Sequence, residues 1–255
     1  MTEPAAATTQ SSGARTYAIP TAAGDIHLPS VTTILKVMDR PPLIQWAANT
    51  AAAYALDNQE WVDNLLSVNK RKEAYDGIRY AHRERRDTAA TRGTDIHDVL
   101  ERFILGEEIP PEDQSPYFRS ALSFISDWDA KFEASEATVY NLTEGYAGTM
   151  DALVRVEGGE LLVADWKSRQ GKRVSQTGIW ETELLQVAAY ANAEFVLLPS
   201  GVSVALPAVA GGLVVALCLD GFRVGVADLV ADFGGFRMAK GLFDWREGLK
   251  GRNKE

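Results

Sequence analysis

Cysteine is almost absent from the sequence, which has one, Cys218, among 255 residues. A single cysteine cannot form an intramolecular disulfide or supply a multi-cysteine zinc or iron–sulfur site. No apolar run approaches the roughly 18 residues that span a bilayer, and residues 1–13 lack the charged-then-apolar order of a secretory signal. These absences predict a soluble, cytoplasmic protein with no membrane partner.

Positive charge is also scarce, because 35 acidic residues outnumber 26 basic ones and the formal net charge is -9. That sum is unusual for a protein that handles polyanions, so the distribution of charge matters more than the total. Within residues 70–92, eight basic residues stand against four acidic ones, which gives a local charge of +4. This segment fits either a solvated helix face with ion pairs or a basic surface for a polyanion.

The hydrophobic period changes along the chain from that of a helix to that of a strand, which predicts an α/β protein. Residues 1–16 lack apolar periodicity and are predicted to be a flexible tail, and residues 17–255 are expected to form a single domain. Residues 43–56 are expected to be a buried helix. The predicted elements are a hairpin at 17–28, helices within 30–132, strands 137–141, 147–156 and 161–166, helix 181–198, hairpin 213–226 and helix 228–249.

Two carboxylates fall inside predicted strands with apolar neighbours. Asp151 is followed by Ala-Leu-Val, and Asp165 is preceded by Leu-Leu-Val-Ala. Burial of an unpaired carboxylate is costly, so a bound cation is the natural compensation. Mg²⁺ and Mn²⁺ prefer oxygen ligands, which these two carboxylates and the backbone carbonyl of Trp166 would supply. The strands therefore predict a divalent metal site.

Lys167 follows Asp165 by two residues, so strand alternation places both side chains on one face of the sheet. An ammonium beside a metal can orient or deprotonate an attacking water and stabilise charge that grows on a phosphate. An Asp-x-Lys pair on an edge strand can equally be a surface ion pair. The pattern by itself leaves both interpretations open.

The turn between the two acidic strands decides whether their carboxylates can meet. If Gly158-Gly159 were a plain two-residue turn, Asp151 would stand opposite Trp166 and would face away from Asp165. A shared metal therefore requires a loop of three or five residues, or a bulge. The sequence thus predicts an irregularity in this hairpin.

Five short motifs follow one another along the chain. They are residues 29–35 with Leu43-x-x-Trp46-Ala47, Arg92-Gly93-Thr94-x-x-His97, Gly148-x-x-Asp151, Asp165-Trp166-Lys167, and Gln186-x-x-x-Tyr190. Over about residues 17–226 the chain is similar to the RecB-like branch of the PD-(D/E)XK nuclease superfamily. The upstream segment is similar to that of phage-type and CRISPR-associated exonucleases of this branch.

The resemblance implies a restriction-endonuclease-like core, in which a mixed central sheet is flanked by helices and preceded by a helical amino-terminal part. It also implies a metal site for Mg²⁺ or Mn²⁺. His97 would bind the ion through a ring nitrogen, Asp151 and Asp165 through carboxylates, and Trp166 through its carbonyl. Asp151, Asp165 and Lys167 would be the catalytic residues, with Lys167 as the catalytic lysine.

The function implied is that of a metal-dependent DNA exonuclease in phage or bacterial recombination, repair or replication. Its substrate would be single-stranded DNA or DNA ends, held in part by Gln186 and Tyr190. The charge and place of Arg92 predict a phosphate contact. Two alternatives remain open: a structure-specific or single-strand endonuclease, and a catalytically silent DNA-binding protein of the same fold.

The chain departs from the CRISPR-associated exonucleases, which usually carry four cysteines for an iron–sulfur cluster. With Cys218 alone, it is expected to be a cluster-free relative closer to phage recombination exonucleases. The sequence also lacks a nucleotide-binding loop of the GxxxxGK[ST] kind. Any unwinding of DNA would therefore come from a helicase or recombination partner.

Overall fold

The computed structural model describes the backbone of residues 7–9, 14–38 and 41–252, and the side chains of these residues apart from 7–9, 41–42, 84–95 and 250–252. The strands are β1 (Ala7–Thr9), β2 (Arg15–Ile19), β3 (Ile26–Pro29), β4 (Lys131–Asn141), β5 (Tyr146–Arg155), β6 (Leu161–Ser168), β7 (Phe195–Leu197), β8 (Ser203–Ala205), β9 (Gly211–Cys218) and β10 (Gly221–Ala227). The helices are α1 (Val31–Ile34), α2 (Pro41–Asp57), α3 (Gln59–Ser67), α4 (Arg71–Ile104), α5 (Pro116–Asp127), α6 (Glu181–Ala191) and α7 (Ala231–Arg252).

The chain divides into two compact units, one of Met1–Met38 with Ile96–Glu255 and one of Asp39–Asp95. The smaller unit consists of α2, α3 and the first part of α4. The single domain that the sequence predicts over residues 17–255 stays a prediction. In the described part of the chain, no helix has both the length and the apolar character needed to cross a membrane.

A seven-stranded sheet organises the larger unit, in the order β10-β9-β6-β5-β4-β7-β8. Neighbouring strands are antiparallel except β6 and β9, which are parallel. The connection between those two strands carries α6, as a parallel crossover requires. The predicted meander of three strands and the predicted carboxyl-terminal hairpin are both confirmed, and so is the predicted α/β class with a mixed central sheet.

Helices cover the sheet on both faces. On one face, Leu185 of α6 and Phe236 of α7 belong to the core that includes Val163 of β6. On the other face, Phe124 of α5 belongs to the core that includes Trp166 of β6. Every residue of β9 is buried, as expected for a strand enclosed from both sides. Successive residues of β6 therefore alternate between two cores, and Asp165 and Lys167 share a face with Val163.

A separate three-stranded sheet, β1-β2-β3, precedes α1. Residues 7–9 and 15–17 pair in it, although residues 1–16 were predicted to be a flexible tail; β-branched threonines favour such pairing. The predicted hairpin at 17–28 is confirmed by the pairing of β2 with β3. Ser30 is confirmed as the N-cap of α1, since its hydroxyl accepts the backbone N–H of Thr33 at 3.0 Å.

Two helix predictions are wrong. The helix expected at 181–198 ends at Ala191, and β7 follows it, because the Phe195–Leu197 segment pairs with β4 in the main sheet. The helix at 43–56 is not buried, since Ile44 is 67% and Leu56 is 77% exposed. An alanine-rich composition favours a helix but does not decide what covers it.

Candidate metal centre and active site

The hairpin of β5 and β6 has the irregular connection that the sequence predicted. Paired residues run from Arg155 with Leu161 to Ala152 with Ala164, and residues 156–160 separate the two strands. The loop length is odd, so the register that it sets would place Asp151 opposite Asp165 if the pairing continued by one more residue. The two-residue turn that would have separated these carboxylates is therefore ruled out.

The backbone pairing of β5 with β6 ends at Ala152, just before Asp151. The next backbone N–H on β6, that of Trp166, bonds to the side chain of Asp151 and not to its backbone. Asp151 Oδ2 accepts a hydrogen bond from the backbone N–H of Trp166 at 2.7 Å. The carbonyl of Trp166 lies 3.1 Å from His97 Nε2, on α4. The indole of Trp166 packs instead against Phe124 in the core. Trp166 thus offers only its backbone to the site, and the carbonyl expected to be a ligand lies beside the histidine.

Three side chains from three elements converge in front of Asp151. His97 Nδ1 lies 3.5 Å from Asp151 Oδ2 and 3.9 Å from Glu136 Oε1 of β4. Among residues with described side chains, these three form the group whose ligand atoms all lie within 4.8 Å of one another. An imidazole whose Nε2 donates to a carbonyl presents Nδ1 to a metal. The donor set, one nitrogen and two carboxylates, therefore fits a divalent cation.

Glu136 is the residue that sequence analysis missed. Ser135 pairs with Ala152 and Ala137 with Met150, so Glu136 stands opposite Asp151. Its φ of 48° lies in the left-handed region, which costs a non-glycine residue on the order of 1–3 kcal/mol. Such strain is typical of functional positions. The available signal was an acid directly before the predicted strand at 137–141, a strand that begins earlier than predicted.

Asp165 belongs to an adjacent group and not to the three-residue cluster. Its Oδ1 accepts a hydrogen bond from Gln186 Nε2 at 2.8 Å, and its Oδ2 forms an ion pair with Lys167. Oδ2 is buried, and the Lys167 ammonium is the group that it contacts among the described residues. A buried carboxylate oxygen with lone pairs left over is a fitting ligand for a hard cation.

The two remaining motifs meet at the same place. Gln186 Nε2 donates to the hydroxyl of Tyr190, one turn further along α6, at 3.1 Å. The ring of Tyr190 packs directly on Gly148 of β5, where the Cβ of any other residue would overlap the ring. The glycine is therefore required for the helix to approach the strand that carries Asp151.

Burial and mutual attraction set the charges of these groups. Burial alone would lower the pKa of His97, but Asp151, Glu136 and Asp165 raise it to about 11. Burial alone would raise the pKa of Asp151, but the positive charges of His97 and Lys167 have the larger effect and lower it. Burial and the neighbouring Asp151 raise the pKa of Asp165 to about 6. A divalent cation would thus replace the imidazolium proton as the partner of these acids.

The pKa of Lys167 is raised above its usual value. Burial alone would lower this pKa, but the nearby carboxylates of Asp165, Asp151 and Glu183 have the larger, opposite effect. Lys167 is therefore an ammonium at neutral pH. This charge state favours stabilisation of negative charge over abstraction of a proton.

The side chain of Arg92, expected at a phosphate, lies outside the described residues. In the smaller unit, Lys70 pairs with Glu73 and Lys72 with Asp76, as expected for a solvated helix face. Arg83 lies over the ring of Tyr80, 4.3 Å from its centroid. The alternative of a polyanion surface on residues 70–92 stays a prediction.

Comparisons with known proteins assign the chain to no family. No family model matches the chain, and no curated protein matches it. Solved structures that match include one described as the crystal structure of SSO0001, at 12% sequence identity and a TM-score of 0.28. That match covers 53% of this chain and 61% of that chain.

Proposed function

We propose that this chain is a divalent-metal-dependent deoxyribonuclease related to the RecB-like branch of the PD-(D/E)XK superfamily, with exonuclease action. The observation that carries the proposal is the grouping of His97, Glu136 and Asp151 beside the Asp165–Lys167 pair. Charged groups this strongly coupled in a buried position are typical of a site that performs chemistry.

The donor set supports Mg²⁺ or Mn²⁺ as the cofactor. His97, Glu136 and Asp151 would hold the ion, together with the buried Oδ2 of Asp165. When bound, such an ion lowers the pKa of a water molecule and polarises a phosphate. One imidazole and several carboxylates suit these ions better than copper or a cysteine-bound zinc.

The residues around the ion have separable tasks in hydrolysis of a phosphodiester. The ammonium of Lys167 neutralises charge on the phosphate as water adds to phosphorus and the bond to the leaving oxygen breaks. Asp165 holds Lys167 in place, and Gln186 fixes the orientation of Asp165. Tyr190, packed on Gly148, fixes Gln186 in turn.

A cleavage assay on matched substrates tests the proposed function. End-labelled linear DNA, single- and double-stranded, and covalently closed single-stranded circles are incubated with Mn²⁺ or with EDTA. We expect Mn²⁺-dependent loss of linear DNA and intact circles. Degradation of circles would make the enzyme an endonuclease, and DNA binding without cleavage would make it a catalytically silent relative. Absence of cleavage, with or without DNA binding, would refute the proposal.

A further inference from the structure

The row of side chains that begins at Asp165 continues beyond Lys167. The backbone N–H of Arg169 donates to the carbonyl of Leu217 at 2.8 Å, which extends the pairing of β6 with β9 past the end of the strand. Asp165, Lys167 and Arg169 therefore alternate onto the same face. The row of these three side chains runs along β6 away from the metal cluster.

Helix α6 runs along this row in the opposite sense. Gln186 contacts Asp165, and one turn earlier Glu183 contacts Arg169, with 2.6 Å between Glu183 Oε2 and Arg169 NH2. Glu183 Oε2 also accepts the backbone N–H of Trp180 at 3.0 Å. At a rise of about 1.5 Å per residue, Trp180 lies about 9 Å along the helix from Gln186. Trp180 is thus the end of the row.

Trp180 contacts Arg169 and Glu183 and is still half exposed. The guanidinium carbon of Arg169 lies 5.2 Å from the centroid of its ring, while Trp180 as a whole is 48% exposed. The side chains that hold it are not exposed: that of Arg169 is 12% and that of Glu183 is 7% accessible. An aromatic ring that packs against a cation and is still half exposed offers a surface on which a nucleobase can stack.

The surrounding segment carries charge of one sign. From residue 167 to residue 180 there are four basic residues and no acidic one, in a chain whose net charge is -9. Lys172 and Arg173 of this segment are exposed. Aromatic platforms interleaved with cations are the arrangement that binds single-stranded nucleic acid.

We propose that Trp180 is a base-stacking platform for single-stranded DNA, with Lys172 and Arg173 as its phosphate contacts. This inference rests on the proposed function, because it places the strand that Lys167 would meet. At the stacked spacing of about 3.4 Å per nucleotide, the rise of about 9 Å along the helix from Gln186 to Trp180 corresponds to two or three nucleotides. The platform therefore favours single strands, whose bases are free to stack on protein, over intact duplex.

The test measures the affinity of a labelled single-stranded oligonucleotide in EDTA, where no strand is cut. Trp180→Ala should weaken binding roughly tenfold, and Trp180→Phe should retain most of it. Trp245→Ala, which removes another exposed tryptophan at 57% exposure on α7, is the matched control and should bind like the wild type. Thermal melting of each variant verifies its fold.

A scan with abasic sites separates stacking from a structural role. An oligonucleotide that lacks the stacked base should bind the wild type and Trp180→Ala equally well. Equal binding of wild type and Trp180→Ala to the intact strand would overturn the inference. A tenfold deficit that persists on every abasic strand would also overturn it. A wild type that binds with this pattern but cuts nothing would refute only the nuclease proposal.

Discussion

Replacement of Lys167 by methionine should lower the rate of DNA cleavage about 10²- to 10³-fold, the usual cost of removing one preorganised group that stabilises charge in a transition state. Methionine keeps the length and apolar stem of the side chain and removes only the ammonium. Because Lys167 is not among the cluster of His97, Glu136 and Asp151, Mn²⁺ should still bind. Single-turnover cleavage and Mn²⁺ titration of the same preparation measure the two effects.

Loss of the ammonium also leaves Asp165 buried without its ion-pair partner, so Lys167→Met should unfold at lower denaturant concentration. The double variant Lys167→Met with Asp165→Asn should recover stability and remain inactive. Lys131→Met, on an exposed lysine of β4 with 72% of its side chain accessible, is the matched control and should change neither property. Recovery of cleavage in the double variant would show that Lys167 acts only through the fold.

Replacement of Glu136 by glutamine should weaken Mn²⁺ binding by about 10- to 100-fold and reduce cleavage in parallel. Glutamine has the same shape, so the variant removes one charge from the cluster at an unchanged backbone position. The physical reason is that Glu136 Oε1 lies 3.9 Å from His97 Nδ1 and faces the same space as Asp151. Raising the Mn²⁺ concentration should restore much of the lost cleavage, because the defect lies in binding the ion.

Glu133→Gln supplies the control for this substitution. Glu133 lies on the same strand and forms an ion pair with Arg155 at the surface, where 43% of its side chain is accessible. Surface pairs contribute little to stability, so this variant should bind Mn²⁺ and cleave DNA like the wild type. An unchanged Mn²⁺ affinity in Glu136→Gln would remove Glu136 from the ligand set.

Much of the site could be read from local patterns. Strand alternation places Asp165 and Lys167 on one face. The requirement for an odd loop around Gly158-Gly159 follows from the period of two, and the register confirms it. Helical spacing places Gln186 and Tyr190 one turn apart, and the structure shows them in contact. Each of these relations involves residues close in sequence.

The rest depends on tertiary contacts that no local pattern contains. Glu136 enters the cluster only because its backbone adopts a left-handed φ inside β4, a conformation that its sequence neighbours do not signal. The end of α6 at Ala191 is set by the pairing of β7 with β4, since the helical pattern itself continues past it. The exposure of α2 likewise depends on what packs nearby and not on its composition.

The metal centre is tested most directly by a calorimetric titration of the metal-free protein with Mn²⁺, performed on the wild type, His97→Ala and Asp151→Asn. We expect saturable binding to the wild type that both substitutions abolish or weaken at least about tenfold, since each removes one ligand of the cluster. Binding of equal affinity in all three proteins, or no binding to the wild type, would contradict this expectation.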